Sequence, residues 1–192
     1  MENRQKAGVI VFAGAFQFII GMLLAELLYP GYSVSANYIS DLGATCRDTC
    51  VIYQPSATIF NISVIFLGIF ILAGTYFIWQ EFQNKFMSVL LVLTGAGAIG
   101  VGVFPETAGK LHFIVSAIAF LFGALSAIYS CKLVKMPYSY FSVLLGIMSL
   151  TAFVLMGFET YLGLGAGGME RMIAYPVLLW GLSFGSYFMS PE

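Results

Sequence analysis

The sequence predicts an all-α integral membrane protein, folded as a single domain over residues 1–192 that forms a six-transmembrane-helix bundle. Composition is the first reason, because 60% of the 192 residues are hydrophobic and 9% are charged, whereas about 25% charged residues is usual in soluble domains. A soluble domain of this length would need far more polar surface to cover its core. The net charge of −1 gives no indication of a nucleic-acid partner.

The second reason is the spacing of the charges along the chain. They separate six uncharged stretches, at residues 7–25, 51–80, 86–105, 113–131, 136–158 and 172–191. Each stretch approaches or exceeds the ~20 residues that a helix needs to cross ~30 Å of hydrocarbon, and the alternation of barrel strands is absent. The first stretch is too long for a secretory signal and no small-x-small cleavage site follows it, so it is interpreted as the first helix.

The basic residues predict the side of the membrane on which each loop lies. With the N-terminus inside, five basic residues are cytoplasmic and three, Arg47, Lys110 and Arg171, are outside. This bias follows the positive-inside rule. Both termini are then cytoplasmic, and the protein is a multi-pass protein of the cell membrane.

The first extracellular loop contains a polar segment with helical spacing. Asn37, Ser40 and Asp41 are spaced i, i+3 and i+4, so that they share one face of a helix, and Gly43 is a typical C-terminal stop. This pattern predicts a short amphipathic helix whose polar side faces a cavity. The alternative is an ordinary surface helix with a capped end.

Two cysteines follow in the same loop. Cys46 and Cys50 are predicted to form a disulfide, because an outside loop is oxidising and a separation of four residues in a non-helical loop can meet the required Cα spacing. The alternative is a pair of small loop residues. Metal binding by this pair alone is disfavoured, since no second Cys or His pair accompanies it.

Most ionisable residues fall on the predicted outer side. They include the only histidine and six of the nine acids, namely Glu26, Asp41, Asp48, Glu106, Glu159 and Glu170. Ionisable groups near helix ends are costly unless they are paired or hydrated. Asp41, His112 and Arg171 are therefore predicted to converge on one outward-facing cavity, lined also by Asn37, Ser40, Glu106 and Glu170. Solvated ends are the preferred interpretation of Glu26 and Asp48.

This cavity suggests a catalytic site. Asp41 could orient His112 as a general base, with water or Ser40 as the nucleophile. The alternative is that His112 is a hydrogen-bonding residue of the helix core. A divalent metal bound by Asp41, His112, Glu106 and Glu170 is a further hypothesis, and this donor set would suit a hard cation, although no H-E-x-x-H spacing supports it.

The glycine-rich segment before the sixth stretch suggests an anion site. Residues 163–172 read GLGAGGMERM, and the free N–H groups of a helix N-terminus favour a phosphate or carboxylate. Arg171 would add a forked cation, with Lys110 nearby on the same side. The alternative is that Glu159 and Glu170 neutralise Arg171. No Walker or Rossmann pattern is present, so no nucleotide or dinucleotide cofactor is expected.

Three segments carry a resemblance to a known family: NYISDLGA at 37–44, FPETAGKLH at 104–112 and GGMER at 167–171. Together they resemble the integral-membrane family catalogued as domain of unknown function 998, over nearly the whole chain. The resemblance implies six helices and an outward polar site, with no established activity.

More remotely, the architecture is similar to six-helix proteins of the Frag1/DRAM/Sfk1 type, some of which are tied to lipid remodelling. It is also similar to the transmembrane hydrolases of the ceramidase and adiponectin-receptor type. Those enzymes use a Ser, an Asp and three His around zinc. Because this chain has one His, their metal site does not carry over.

These observations support three functional hypotheses. The first is a hydrolase or transferase that acts on a lipid headgroup or another amphipathic substrate. The second is a non-catalytic protein that uses the same cavity for binding, transport or sensing of a lipid or an anionic small molecule. The third is a membrane scaffold subunit. In all three the protein is surrounded by membrane lipids.

Overall fold

Six long helices make up most of the computed structural model, which describes residues 1–47 and 49–190. They are α1 (Asn3–Leu28), α2 (Ser56–Phe82), α3 (Lys85–Val103), α4 (Lys110–Tyr129), α5 (Tyr138–Gly157) and α6 (Gly165–Met189). All six are long and apolar enough to cross a membrane. The predicted all-α, six-helix class is confirmed.

The helices form a closed ring. Each packs against its neighbours in the chain, and α6 returns to pack against α1. Near the start of α1, Arg4 donates hydrogen bonds to the main-chain oxygens of Tyr187 and Ser190. The two termini therefore lie at the same end of the bundle, which we call the terminal end. The opposite end, which carries the loop between α1 and α2 (residues 29–55, the first loop), is called the loop end.

Small residues allow the helix backbones to approach each other closely. A Cβ atom on Gly68 of α2 would lie 2.4 Å from the main-chain oxygen of Gly95 in α3, which is closer than any side chain allows. Membrane helices commonly associate through such small-residue contacts, because hydrocarbon gives helices no hydrophobic drive to pack together.

The first loop differs from the predicted amphipathic helix. Only Ser40–Leu42 is helical, as one turn of 3₁₀ helix, and Gly43 has a φ of −85° rather than the left-handed conformation of a C-terminal stop. The reason is local. The side chain of Asn37 and the main-chain N–H of Tyr38 both bind the Asp41 carboxylate, and such side-chain bonds compete with helical ones.

After this turn, the chain forms a small hairpin. Thr45–Cys46 pairs antiparallel with Cys50–Val51, and the predicted disulfide between Cys46 and Cys50 is confirmed. Asp48 lies outside the described residues, so its predicted exposure stays a prediction.

The start of the sixth helix is earlier than predicted. The helix begins at Gly165, seven residues before the uncharged stretch that starts at residue 172. Glu170 and Arg171 therefore lie inside the helix, and both are buried. Dividing the sequence at every charged residue placed the start of this helix too late, because such a division ends a span at Glu170 and Arg171.

Candidate functional site

A cavity of about 730 Å³ lies at the loop end, between α4, α5 and the first loop. It is called the polar cavity here. Its polar side chains are Tyr38, Ser40, Arg47, Glu106, His112, Ser116, Glu159, Tyr161 and Glu170. On the side between α4 and α5 its walls are apolar, with Phe113 and Phe153 among them.

A second cavity, of about 120 Å³, lies inside the bundle and is called the apolar cavity. Hydrophobic side chains from five of the helices line it, including Phe18, Phe60, Val64, Leu91 and Phe184. Four residues line both cavities: Ser40, Ser116, Phe120 and Glu170. The polar cavity therefore adjoins an apolar space that extends into the helix bundle.

Asp41 organises the first loop and does not line the polar cavity. Its side chain is fully buried and accepts hydrogen bonds from Asn37 Nδ2 at 3.0 Å, Tyr38 N at 2.9 Å and Arg47 Nη2 at 2.8 Å. Burial raises the pKa of the Asp41 carboxyl above its ordinary value, and the bond from Asn37 and the charge of Arg47 oppose that rise. Asn37 likewise belongs to the loop's internal network.

Glu106 attaches the first loop to the connection between α3 and α4. Its Oε1 accepts a hydrogen bond from Ser40 Oγ at 2.9 Å, and its Oε2 accepts one from the main-chain N of Cys46 at 3.0 Å. Arg47 Nη1 lies 3.7 Å from the same carboxylate. Ser40 thus donates to Glu106.

Tyr38 of the first loop and Tyr161 of the loop between α5 and α6 both line the polar cavity. Burial, followed by a hydrogen bond with Tyr161, raises the pKa of Tyr38 to about 12. The Arg47 guanidinium lies 4.8 Å from the centre of the Tyr38 ring, a distance typical of a cation–π contact. Tyr38 therefore remains a neutral hydroxyl at the edge of the cavity at neutral pH.

His112 is the buried base of the polar cavity. Its Nδ1 lies 2.7 Å from the carbonyl oxygen of Phe104. A carbonyl can only accept, so Nδ1 carries a proton, and in the neutral ring Nε2 is then the acceptor. Ser116 Oγ, one turn along α4, lies 3.3 Å from Nε2. The two ring nitrogens thus bond neither Asp41 nor Ser40, the partners suggested by the sequence.

Arg171 holds the first loop and α1 against α6. Its Nη2 donates to Glu26 Oε1 and to the Tyr32 hydroxyl, both at 2.6 Å. Its Nη1 donates to the main-chain oxygens of Val34, Asn37 and Gly167. The interpretation of Glu26 as a solvated helix end is wrong, because its side chain is 14% exposed and ion-paired. The acid paired with Arg171 is Glu26 rather than Glu159 or Glu170.

The glycine-rich start of α6 serves loop packing. The main-chain N–H groups of Gly167 and Gly168 point to the oxygen of Ser35, at 2.9 and 3.4 Å, and Ser35 Oγ donates to the oxygen of Leu164 at 2.6 Å. These two N–H groups of the hypothetical anion site are therefore occupied. Lys110 is exposed, and neither it nor Arg171 lines the polar cavity.

Gly167 gives a direct test of this packing. A Cβ atom at this position would lie 1.9 Å from the main-chain oxygen of Asn37, so Gly167→Ala should force the first loop off α6. Overpacking of this kind costs about 1–3 kcal/mol, and thermal unfolding in a nonionic detergent would measure it. Gly157→Ala is the matched control, because its Cβ would meet no atom within 4 Å. Equal stability of the two variants would contradict the packing role.

The predicted metal ligands do not come together. Among residues 1–47 and 49–190, no three His, Cys, Asp or Glu side chains are close enough to hold a metal ion. Asp41 and Glu106 are both paired with Arg47, whereas His112 bonds the Phe104 oxygen.

Comparison with known families agrees with this architecture. A family model described as "Protein of unknown function (DUF998)" matches residues 12–187, which is most of the chain. The chain belongs to this family. The DUF998 match includes α2 to α5 in full, most of α1 and α6, and the first loop. No curated protein and no solved structure gives a match.

Sequence reasoning missed several polar residues of the cavity in this DUF998 protein, among them Ser116 and Tyr161. Ser116 lies four residues after His112 on α4, so their helical spacing could have revealed the contact. Tyr161 lies in a short loop, and nothing in its sequence neighbourhood marks it.

Proposed function

We propose that the protein binds a membrane amphiphile, with the polar head in the polar cavity and the hydrocarbon chain in the apolar cavity. The observation that carries this proposal is the boundary shared by the two cavities, which is formed by Ser40, Ser116, Phe120 and Glu170. Ligand sites combine apolar walls with a few placed polar groups. A cavity of this kind favours a ligand-binding role over that of a scaffold.

The surroundings of the polar cavity suggest an entry route from the membrane. Phe113 on α4, Val154 on α5 and Phe158 beyond it line the cavity and are also exposed on the surface of the bundle. Exposed apolar side chains at this depth would face hydrocarbon. An amphiphile could then enter sideways between α4 and α5 without leaving the bilayer.

Photocrosslinking tests the proposal. A monoacylglycerol with a photoactivatable group on its chain should label residues of the apolar cavity, such as Phe120, in protein held in phosphatidylcholine nanodiscs. Gly157→Phe should reduce this labelling, because Gly157 lines the polar cavity and has open space for a larger side chain. Leu144→Phe, on the exposed face of α5, is the control. Equal labelling all around the bundle in every variant would contradict the proposal.

A second candidate is a hydrolase or transferase acting on the bound amphiphile. The observation in its favour is Ser116 Oγ at 3.3 Å from His112 Nε2, since a hydroxyl beside a neutral imidazole can act as a nucleophile with its base. Ser116→Ala should then abolish the release of fatty acid from the monoacylglycerol while leaving crosslinking intact. Unchanged release by this variant would exclude the pair from catalysis.

We also propose that the loop end faces the outside of the cell membrane, with both termini in the cytoplasm. The excess of basic residues at the terminal end and the disulfide of the first loop support this orientation. A membrane-impermeant maleimide should label Cys46 and Cys50 in intact cells after mild reduction. Cys131, in the 3₁₀ turn Ser130–Lys132 at the terminal end, should be labelled only after permeabilisation. The reverse pattern would invert the orientation.

A further inference from the structure

The polar cavity has more acidic than basic side chains. Three carboxylates line it, those of Glu106, Glu159 and Glu170, and Arg47 is the one Lys or Arg residue in its described lining. Arg47 is already paired, at 2.8 Å from Asp41 and 3.7 Å from Glu106. The other basic residues of the loop end, Lys110 and Arg171, are outside this lining.

Several hydrogen-bond donors of the cavity are also engaged within the protein. Ser40 Oγ and the main-chain N–H of Cys46 both donate to Glu106. Arg47 donates to Asp41. A ligand that brings only acceptor groups would therefore have to displace bonds that the protein already makes.

Acceptors, in contrast, remain available at the bottom of the cavity. Glu170 is 5% exposed and lines both cavities. Its Oε2 accepts a hydrogen bond from the main-chain N of Ile39, while no residue in the described part of the chain donates to Oε1. His112 Nε2 is a second acceptor, bonded only to the adjustable hydroxyl of Ser116. Glu170 Oε1 can therefore accept a donor from a ligand, and His112 Nε2 can exchange the Ser116 hydroxyl for one.

We infer that the amphiphile carries a hydrogen-bond-donating head without negative charge, either a hydroxyl group or a primary ammonium group. This inference rests on the proposed function and specifies its ligand. The head donates to Glu170 Oε1 and His112 Nε2, and the chain passes Phe120 into the apolar cavity. Carboxylate and phosphate heads are excluded because they would be held near three carboxylates with no unpaired cation, and like charges brought together are strongly unfavourable.

Competition between matched amphiphiles tests the inference. Dodecylamine, dodecylglycerol, dodecanoate and dodecyl phosphate share one chain and differ in the head. Each is added at equal mole fraction to phosphatidylcholine nanodiscs, and its ability to displace the photoactivatable monoacylglycerol is measured. The amine or the glycerol ether should compete, and the two anions should need about tenfold higher amounts or more. An anion that competes as well as the best of the other two would overturn the inference.

Variants connect the selectivity to the cavity. Glu170→Gln keeps an oxygen for the N–H of Ile39 and removes the carboxylate, so it should reduce the discrimination against dodecanoate. Glu159→Gln, at an exposed position on the cavity rim, should also reduce the discrimination against dodecanoate. It keeps the test decisive if Glu170→Gln does not fold. Glu81→Gln, exposed at the other end of the bundle, should change nothing. Unaltered discrimination in both cavity variants would overturn the inference.

The same data distinguish a hydroxyl head from an ammonium head. They also distinguish failure of the head-group inference from failure of the proposed function. Loss of competition by dodecylamine in Glu170→Gln would identify an ammonium head, whereas undiminished competition by dodecylglycerol would identify a hydroxyl head. If none of the four compounds displaces the probe, and Gly157→Phe leaves its labelling unchanged, the proposed function itself fails. Competition without selectivity would refute the head-group inference alone.

Discussion

Replacing Arg171 with methionine is expected to lower the free energy of unfolding by about 3–5 kcal/mol, because it leaves a largely buried acid, Glu26, without its partner. The guanidinium holds Glu26 and Tyr32 at 2.6 Å each and also binds the main-chain oxygens of Val34 and Asn37 in the first loop. Methionine fills much of the same space but offers no donor. Unfolding in mixed detergent micelles would measure the loss.

Two further variants separate pairing from packing. Arg171→Met combined with Glu26→Gln should recover part of the lost stability, since the second change removes the unpaired carboxylate, and contacting residues give non-additive effects. Lys110→Met removes an exposed basic residue at the same end of the bundle and should have little effect. If Arg171→Met were as stable as the Lys110 variant, the ion pair would not be what holds the first loop on α6.

The helices could be predicted from the sequence because each depends on the length and composition of one continuous stretch of residues. Each uncharged stretch is long enough to span hydrocarbon, and the structure has a helix at each one. The Cys46–Cys50 disulfide was likewise predictable, since its two residues are neighbours in one loop. The later start of α2, at Ser56 rather than at residue 51, reflects the small hairpin that the disulfide closes.

The partners of each residue within the candidate site could not be predicted, because the interacting residues are far apart in the sequence. Arg171 and Glu26 are 145 residues apart, and nothing near either residue specifies the other. The glycines before Arg171 have the composition of an anion loop, yet their N–H groups bind the Ser35 oxygen from the first loop. Only the ring closure between α1 and α6 brings these groups together.

Asp41→Ala is the second change with a large expected effect. It would leave the side chains of Asn37 and Arg47 and the main-chain N–H of Tyr38 without their shared acceptor. Each buried donor left unsatisfied costs about 1–3 kcal/mol, although Arg47 is half-exposed and can turn to water. The free energy of unfolding should fall by at least the cost of one such donor, and the first loop should become sensitive to proteases.

The size of this effect should depend on pH. Burial raises the pKa of the Asp41 carboxyl in the folded protein, whereas the unfolded chain keeps the ordinary value of about 3.9. A raised pKa means that the folded state holds the proton more tightly, so this contribution to stability is full below the ordinary value and is lost as pH rises through the raised one. The difference in stability between wild type and Asp41→Ala should therefore be largest in acid and decrease towards neutral pH.

Denaturation measured from about pH 4 to pH 8 would show this trend. A difference that grows with pH would mean that the donors around Asp41, led by Arg47, outweigh its burial and hold the carboxylate ionised.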